Sequence, residues 1–247
     1  LYRTNAQSRA FEEQMRKTAI PYRIYSGLSF YQRKEIKDAI AYMRLVVNPN
    51  DEEALKRVVN YPARGIGNTT MGKIQMAATK AGVSLWEVIC NPSFYNTSIG
   101  TATTSKLGAF RSLVTCFKDK AEGEDAFTLT RSLLAESGMM KDIYEGKDAE
   151  DVARQENIDE FLNSIMMFVD TRREEQDSPS VSVADFLQEV ALLTDLESDD
   201  GEQSKVSLMT VHAAKGLEFS TVFIVGMDEN IFPSQMSSDS PRALEEK

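Results

Sequence analysis

The chain has 247 residues, with 28 Lys+Arg against 38 Asp+Glu for a formal net charge of −10; 42% of residues are hydrophobic and 27% charged, the balance of a globular protein rather than a disordered one. Its two cysteines, Cys90 and Cys116, exclude a disulfide framework, and no CxxC or Cys/His cluster offers a zinc site. No apolar run approaches the roughly 18 residues of a spanning helix, so membrane function is excluded and a soluble, cytoplasmic protein is expected.

In chain order, the spacing predicts a helix over 6–17 and a short strand over 20–25, where a proline near the start is tolerated. Ser29 and Gln32 form a capping-box pattern ahead of Ile36, Ile40, Met43 and Val47 on one face, which predicts a helix over 30–47. Asn48-Pro49-Asn50-Asp51 stops that helix and caps the next, 52–60, which Tyr61-Pro62 terminates. A loop over 63–68 leads into a helix at 70–81. Ser84 and Glu87 cap a short helix ending at Asn91-Pro92, and polar residues 95–104 read as a loop. Further helices are expected near 105–121, 126–137, 148–172 and 182–194, with breaks at Gly123, Gly138 and the acidic-polar segment 174–180. From Lys205 the pattern changes: 206–211 and 221–225 are β-rich apolar runs with a glycine-containing connection, the pattern of buried parallel strands. Pieces of α/β character at both ends therefore flank a helical block, which predicts a discontinuous domain with a second domain inserted in it.

Charge is unevenly distributed. Residues 1–80 hold 14 Lys+Arg and 7 Asp+Glu, leaving 14 and 31 for the rest, so a polyanion is drawn to the first third and repelled by the remainder. The same asymmetry fits a solvated face. Gly67-Asn68-Thr69-Thr70-Met71-Gly72-Lys73 spells GxxxxGK, but Ile74 stands where a magnesium-binding Ser/Thr belongs and no buried strand precedes it, so it is not read as an ATP loop. Gly65-Ile66-Gly67 ahead of a helix N-terminus instead suits a backbone anion site, with Arg64 and Lys73 as charged contacts. The glycines also fit a tight turn alone.

The segment Val211-His212-Ala213-Ala214-Lys215-Gly216-Leu217-Glu218-Phe219 follows a strand, where ligands collect in parallel sheets. Lys215 offers a phosphate contact and Glu218 a hydroxyl acceptor, such as one for a ribose, while the single histidine also fits a structural role. Leu1 to Arg9, with Arg3 and Arg9 among small amide and hydroxyl side chains, suits phosphate and sugar contacts or a solvated helix entry. Tyr22, Tyr25, Phe30 and Tyr31 could stack bases or anchor a domain junction. One histidine builds no Ser/His/Asp or Cys/His set, so no catalytic residue and no metal site is assigned.

Tyr2-Arg3-Thr4-Asn5-Ala6-Gln7-Ser8-Arg9, Pro21-Tyr22-Arg23-Ile24, Phe30 to Asp38, Arg64-Gly65-Ile66-Gly67 and Thr210 to Phe219, in this order, resemble the C-terminal half of superfamily 1 DNA helicases of the UvrD/PcrA/Rep type. The resemblance spans essentially the whole chain, with 83–200 matching only as a variable helical region. It implies a partial α/β RecA-like domain, 2A, carrying a large inserted all-α domain, 2B, and a mainly helical chain overall. Residues 1–30 and 204–247 are implied as pieces of 2A, and 31–203 as 2B. By motif it implies Arg3 and Asn5 at the ssDNA backbone, and Thr210 and His212, with Lys215, as DNA contacts coupled to the nucleotide site. Glu218, with Gly216, is implied at the ATP ribose, and Arg64, Gly65, Ile66 and Gly67 as a duplex-gripping loop, beside which the anion-site reading places Lys73 as a further DNA contact. Asn230 replaces a frequent glycine, a mild change because Asn tolerates a left-handed backbone.

The parent protein is thereby implied to be an ATP- and Mg²⁺-dependent 3′-to-5′ helicase of DNA repair or replication, acting on ssDNA and duplex junctions, with DNA-repair proteins among the partners it could take. In the family the Walker A loop and acidic magnesium site lie ahead of the segment corresponding to residue 1, and an arginine motif lies beyond residue 247. The chain alone is therefore expected to bind DNA weakly, to hold no cofactor and not to hydrolyse ATP. Two other readings stay open: a regulatory or protein-interaction module whose acidic 81–203 docks a basic partner, and a helicase subunit of a recombination helicase–nuclease complex.

Overall fold

The computed structural model describes residues 1–3, 7–24, 30–176, 181–197, 205–211 and 213–227. The chain divides into two compact units: Lys34–Asp195 forms one, and Leu1–Arg33 joins the residues from Leu196 onward to form the other. Among the described residues no helix is long and apolar enough to cross a membrane, and no group of three His, Cys, Asp or Glu could hold a metal ion.

The 34–195 unit is helical because its apolar residues recur at helical spacing. Helix α2 (Lys34–Val47) buries Ile36, Ala39, Tyr42, Met43 and Val46 and packs against α3 (Glu52–Val58), α6 (Thr101–Lys120), α7 (Ala126–Glu136) and α9 (Ala149–Gln176). Helix α6 contributes Leu107, Phe110, Val114 and Phe117, and α9 contributes Ile158, Phe161, Leu162, Ile165 and Val169. Helices α4 (Asn68–Ala81) and α5 (Leu85–Cys90) pack on each other, α8 (Met139–Tyr144) fits between α7 and α9, and Phe186 of α10 (Val183–Glu197) meets Phe161 edge-on at 5.9 Å between ring centroids. The helix starts at Asp51, Ser84 and Asp125 are capped as side-chain chemistry dictates, each accepting from the backbone N–H three residues on.

Several boundaries differ from expectation. Helix α6 begins at Thr101, inside the expected 95–104 loop, because Leu107 and Phe110 anchor a turn whose β-branched threonines discourage a local assignment. Helix α8 is absent from the sequence reading: six residues are too few for a period to show, yet Met139 and Ile143 are fully buried. Helix α9 runs to Gln176, through the start of the expected acidic break. The expected 30–47 helix divides into a 3-10 turn, Phe30–Gln32, and α2; Ser29, the expected cap, lies outside the described residues.

Asp51 also pairs with Arg44 at 2.7 Å. Partial burial pushes its carboxyl up, but the Ala54 amide and the Arg44 guanidinium outweigh this and hold it below the ordinary aspartate range. A depressed folded-state pKa contributes stability that is present at neutral pH and lost as pH falls from about 4 through the lowered value. Asp51→Ala should therefore cost about 1 kcal/mol at pH 7 and less at pH 3, measured by urea unfolding; an equal cost at both values would remove the charge from the account.

In the other unit, α1 (Ser8–Lys17) precedes β1 (Tyr22–Ile24), which pairs in parallel with β2 (Val206–Leu208) in the register Tyr22↔Val206, Arg23↔Ser207, Ile24↔Leu208. Tyr2 bridges Thr210, also in parallel. Segments nearly the whole chain apart thus share one small sheet. Buried polar groups tie α1 to the 3-10 turn: Arg33 donates to Ser8 Oγ at 3.0 Å, and Ser8 donates to Glu12 at 2.7 Å. The apolar run 221–225 is not a β-strand. Its only backbone hydrogen bonds among the described residues go to Leu1, at 2.6 and 3.0 Å, and Val222, Phe223 and Ile224 are 47%, 76% and 51% exposed, against the expectation of a buried strand.

Candidate nucleic-acid interface

The chain between α3 and α4 is shaped by two polar side chains. Asn60 accepts through one carboxamide oxygen from the backbone N–H of Arg64 at 3.0 Å and of Ile66 at 2.9 Å. Arg64 turns inward: its guanidinium donates to the carbonyls of Val58 (3.1 Å), Tyr61 (2.7 Å), Pro62 (3.3 Å) and Ser137 (2.9 Å) and to the Tyr42 hydroxyl (2.7 Å). It lies 5.3 Å from the Phe110 ring centroid. Burial pushes the Tyr42 phenol up, so it stays protonated and donates onward to the Tyr61 carbonyl. Arg64, expected from sequence to face phosphate, thus holds α2, α6 and the α7–α8 junction to the loop, because its planar fork can serve several carbonyls at once.

The motif's other members divide between inside and outside. Ile66 is 1% exposed and anchors the loop in the core. Gly65 has φ +70°, a left-handed conformation that disfavours any side chain, and Gly67 is the N-cap of α4. Residues from Asn68 onward are helical, so the GxxxxGK string does not form a phosphate-wrapping loop, as its sequence context indicated. The amides of Gly65, Gly67, Asn68 and Thr69 make no hydrogen bond among the described residues, and no acidic residue stands in the first turn of α4. These donors belong to exposed residues at or just ahead of the positive end of the helix dipole. Lys73 lies one turn further along and donates to the Ser98 carbonyl at 2.7 Å, which leaves its remaining N–H groups available.

In the other unit, the parallel Tyr2↔Thr210 bridge sends Arg3 and the turn after Thr210 from the same edge of the sheet. Arg3 is exposed, and its backbone N–H donates to Gln7 Oε1 at 2.9 Å. Thr210 Oγ1 accepts from Ala213 N–H at 3.1 Å and so starts the turn that carries exposed Lys215, Gly216 at φ +84° and exposed Glu218. Glu218 makes no ion pair among the described residues. The structure therefore places Arg3 next to the Tyr2↔Thr210 bridge, with Lys215 on the turn that follows Thr210; Asn5 and His212 lie outside the described residues. Sequence reasoning missed Asn60 and Gln7, which shape backbone through their amides. An Asn just ahead of Tyr61-Pro62 is a turn signal that marks the first; nothing local marks the second.

The chain is 37% identical over 247 residues to DNA helicase II of Salmonella typhimurium, covering 100% of this chain and 34% of that protein. It is 39% identical over 247 residues to ATP-dependent DNA helicase PcrA of Leuconostoc citreum (100% and 33%) and 38% identical over 253 residues to that of Bacillus subtilis (100% and 33%). It thus spans about a third of the length of these curated relatives. The sequence model of the UvrD-like helicase C-terminal domain matches residues 1–247, and the chain belongs to that family.

Proposed function

We propose that this chain is the DNA-engaging 2A/2B portion of an ATP-dependent 3′-to-5′ DNA helicase of repair or replication. In this reading the 34–195 unit is the inserted 2B domain, and the unit built from both chain ends is part of a RecA-like 2A domain. The duplex backbone is gripped at the entry to α4, by the amides of Gly65, Gly67, Asn68 and Thr69, which make no hydrogen bond among the described residues, with Lys73 nearby. Single-stranded DNA runs past Arg3 and Thr210 and the turn that carries Lys215, with Asn5 and His212, which lie outside the described residues, added by the family motif alone. For ATP, the exposed carboxylate of Glu218, which has no ion pair among the described residues, and the side-chain-free turn at Gly216 fit a ribose contact. Phosphoryl transfer also needs a phosphate cradle, a metal and an arginine, so these residues alone are not expected to hydrolyse ATP.

The observation that carries the reading is the open N-terminus of α4: amides of exposed residues with no capping side chain, set in a loop whose shape Arg64 and Asn60 already hold. Such a site recognises phosphate without reading bases. The test is binding of the 247-residue chain to a hairpin duplex with a 3′ single-stranded tail, titrated with salt. Affinity that requires the duplex and falls linearly in a log–log salt plot is expected. Absence of binding at low salt, or binding indifferent to the duplex, would overturn the duplex grip and favour a protein-interaction role for this unit.

A further inference from the structure

The loop between α5 and α6, residues 91–100, holds no charged residue; its polar side chains are amides and hydroxyls, set around the aromatic pair Phe94-Tyr95. It is tightly bonded. The amides of Phe94 and Tyr95 donate to the Asn91 carbonyl at 3.0 and 3.4 Å, and the Asn96 amide to the Ser93 carbonyl at 3.3 Å. Buried Thr97 donates to the Pro92 carbonyl through its amide at 3.3 Å and its hydroxyl at 3.0 Å. Neighbouring helices hold both ends: Arg111 of α6 donates to the Cys90 carbonyl at 3.0 Å, and Lys73 of α4 to the Ser98 carbonyl at 2.7 Å.

This framework presents an apolar ring to solvent. Phe94 is 78% exposed, more than any other large hydrophobic residue described in the 34–195 unit, and Tyr95 stands edge-on to it with ring centroids 5.0 Å apart. A single exposed aromatic is ordinary; one held in a bonded loop has little freedom left to lose on binding. Two further observations select the ligand. Ser93, Asn96, Thr97, Ser98 and Thr104 line a polar cleft of about 250 Å³ on this loop, a set of side chains suited to sugar and phosphate oxygens. Between Asn68 and Lys118, in a chain of net charge −10, five Lys+Arg stand against one acid, Glu87. That carboxylate already accepts from Asn91 and Tyr95, while exposed Arg111 keeps N–H groups beyond the one given to Cys90. Such a surface repels a basic protein and suits a polyanion that carries planar rings. Bases inside a duplex are stacked on each other and offer no face, so the matching ligand is an unpaired strand.

We propose that the α5–α6 loop is a single-strand contact, in which Phe94 stacks on an unpaired base while the hydroxyl-lined cleft and Arg111 take the sugar–phosphate beside it. This rests on the DNA-binding reading above but not on the duplex grip at α4. The experiment compares the full chain with its Phe94→Ala, Phe94→Trp and Arg111→Ala variants, on a blunt hairpin duplex and on the same hairpin bearing a single-stranded tail that contains 2-aminopurine, from about 50 to 300 mM salt. Phe94→Ala is expected to weaken binding to the tailed hairpin about tenfold, to leave the blunt hairpin unaffected and to abolish the 2-aminopurine quenching, with Phe94→Trp restoring both. Because stacking releases no counterion, the log–log salt slope stays unchanged in Phe94→Ala and falls by about 1 in Arg111→Ala. Phe94 is exposed, so the thermal melt of Phe94→Ala should match that of the unsubstituted chain. Unchanged tailed-hairpin affinity in Phe94→Ala, or an equal loss on both hairpins, overturns the single-strand contact and leaves the duplex grip standing. If the unsubstituted chain binds neither hairpin at low salt, both readings fall together.

Discussion

Gly67→Asp is expected to leave the fold as stable as before, or more stable by a few tenths of a kcal/mol, while weakening duplex binding about tenfold or more. The position has extended backbone, φ −84° and ψ 177°, and a Cβ there meets nothing within 4 Å, so the side chain enters without strain. Asp is a preferred N-cap, and its carboxylate would accept from the first-turn amides and complement the helix dipole. Those are the groups proposed to hold phosphate. The same carboxylate would then face a phosphate a few ångströms away, where like charges repel by about 1 kcal/mol in water and more near a protein surface. Thermal melting and duplex anisotropy read the two effects separately. An unchanged duplex affinity would remove the α4 entry from the interface. Opposite signs for stability and binding would mark Gly67 as kept for contact rather than for folding.

Arg64→Ala should be the most destabilising substitution in the loop. Removing the guanidinium takes the donor from the Ser137 carbonyl and from the Tyr42 hydroxyl oxygen and leaves a void beside Phe110, while the Val58 and Tyr61 carbonyls each lose one of two donors and keep the Tyr61 amide and the Tyr42 hydroxyl. Each buried unsatisfied group costs about 1–3 kcal/mol. Because neighbouring losses are not additive, about 3–5 kcal/mol in total is expected. Arg64→Lys keeps the charge but cannot reproduce a planar fork, so it should recover less than half of the loss. Urea unfolding of both variants measures this. A cost below about 1 kcal/mol for Arg64→Ala would mean that water serves these acceptors in solution.

The helical block was legible because its signals are local: caps at Asp51 and Ser84, breaks at Gly123 and Gly138, and apolar spacing along α2. Helix α8 was not, since a segment of six residues is held by neighbours rather than by its own period. The run at 221–225 misled for the opposite reason. Its β-rich composition marks residues suited to a sheet, but strand formation needs partners, and among the described residues only Leu1 hydrogen-bonds to it. At the candidate site, the motif at 64–67 pointed to the right loop. Composition could not say which way Arg64 turns, because that depends on Tyr42 and Ser137, far away in sequence.

The double acceptance by Asn60 has a thermodynamic consequence. By holding the amides of Arg64 and Ile66 inward, it fixes before any encounter which amides remain for a ligand. A loop already in its binding shape surrenders little chain entropy on association and buries little fresh apolar surface. Association at this site should therefore show a heat-capacity change near zero and draw its free energy mainly from the entropy of the counterions that leave the duplex.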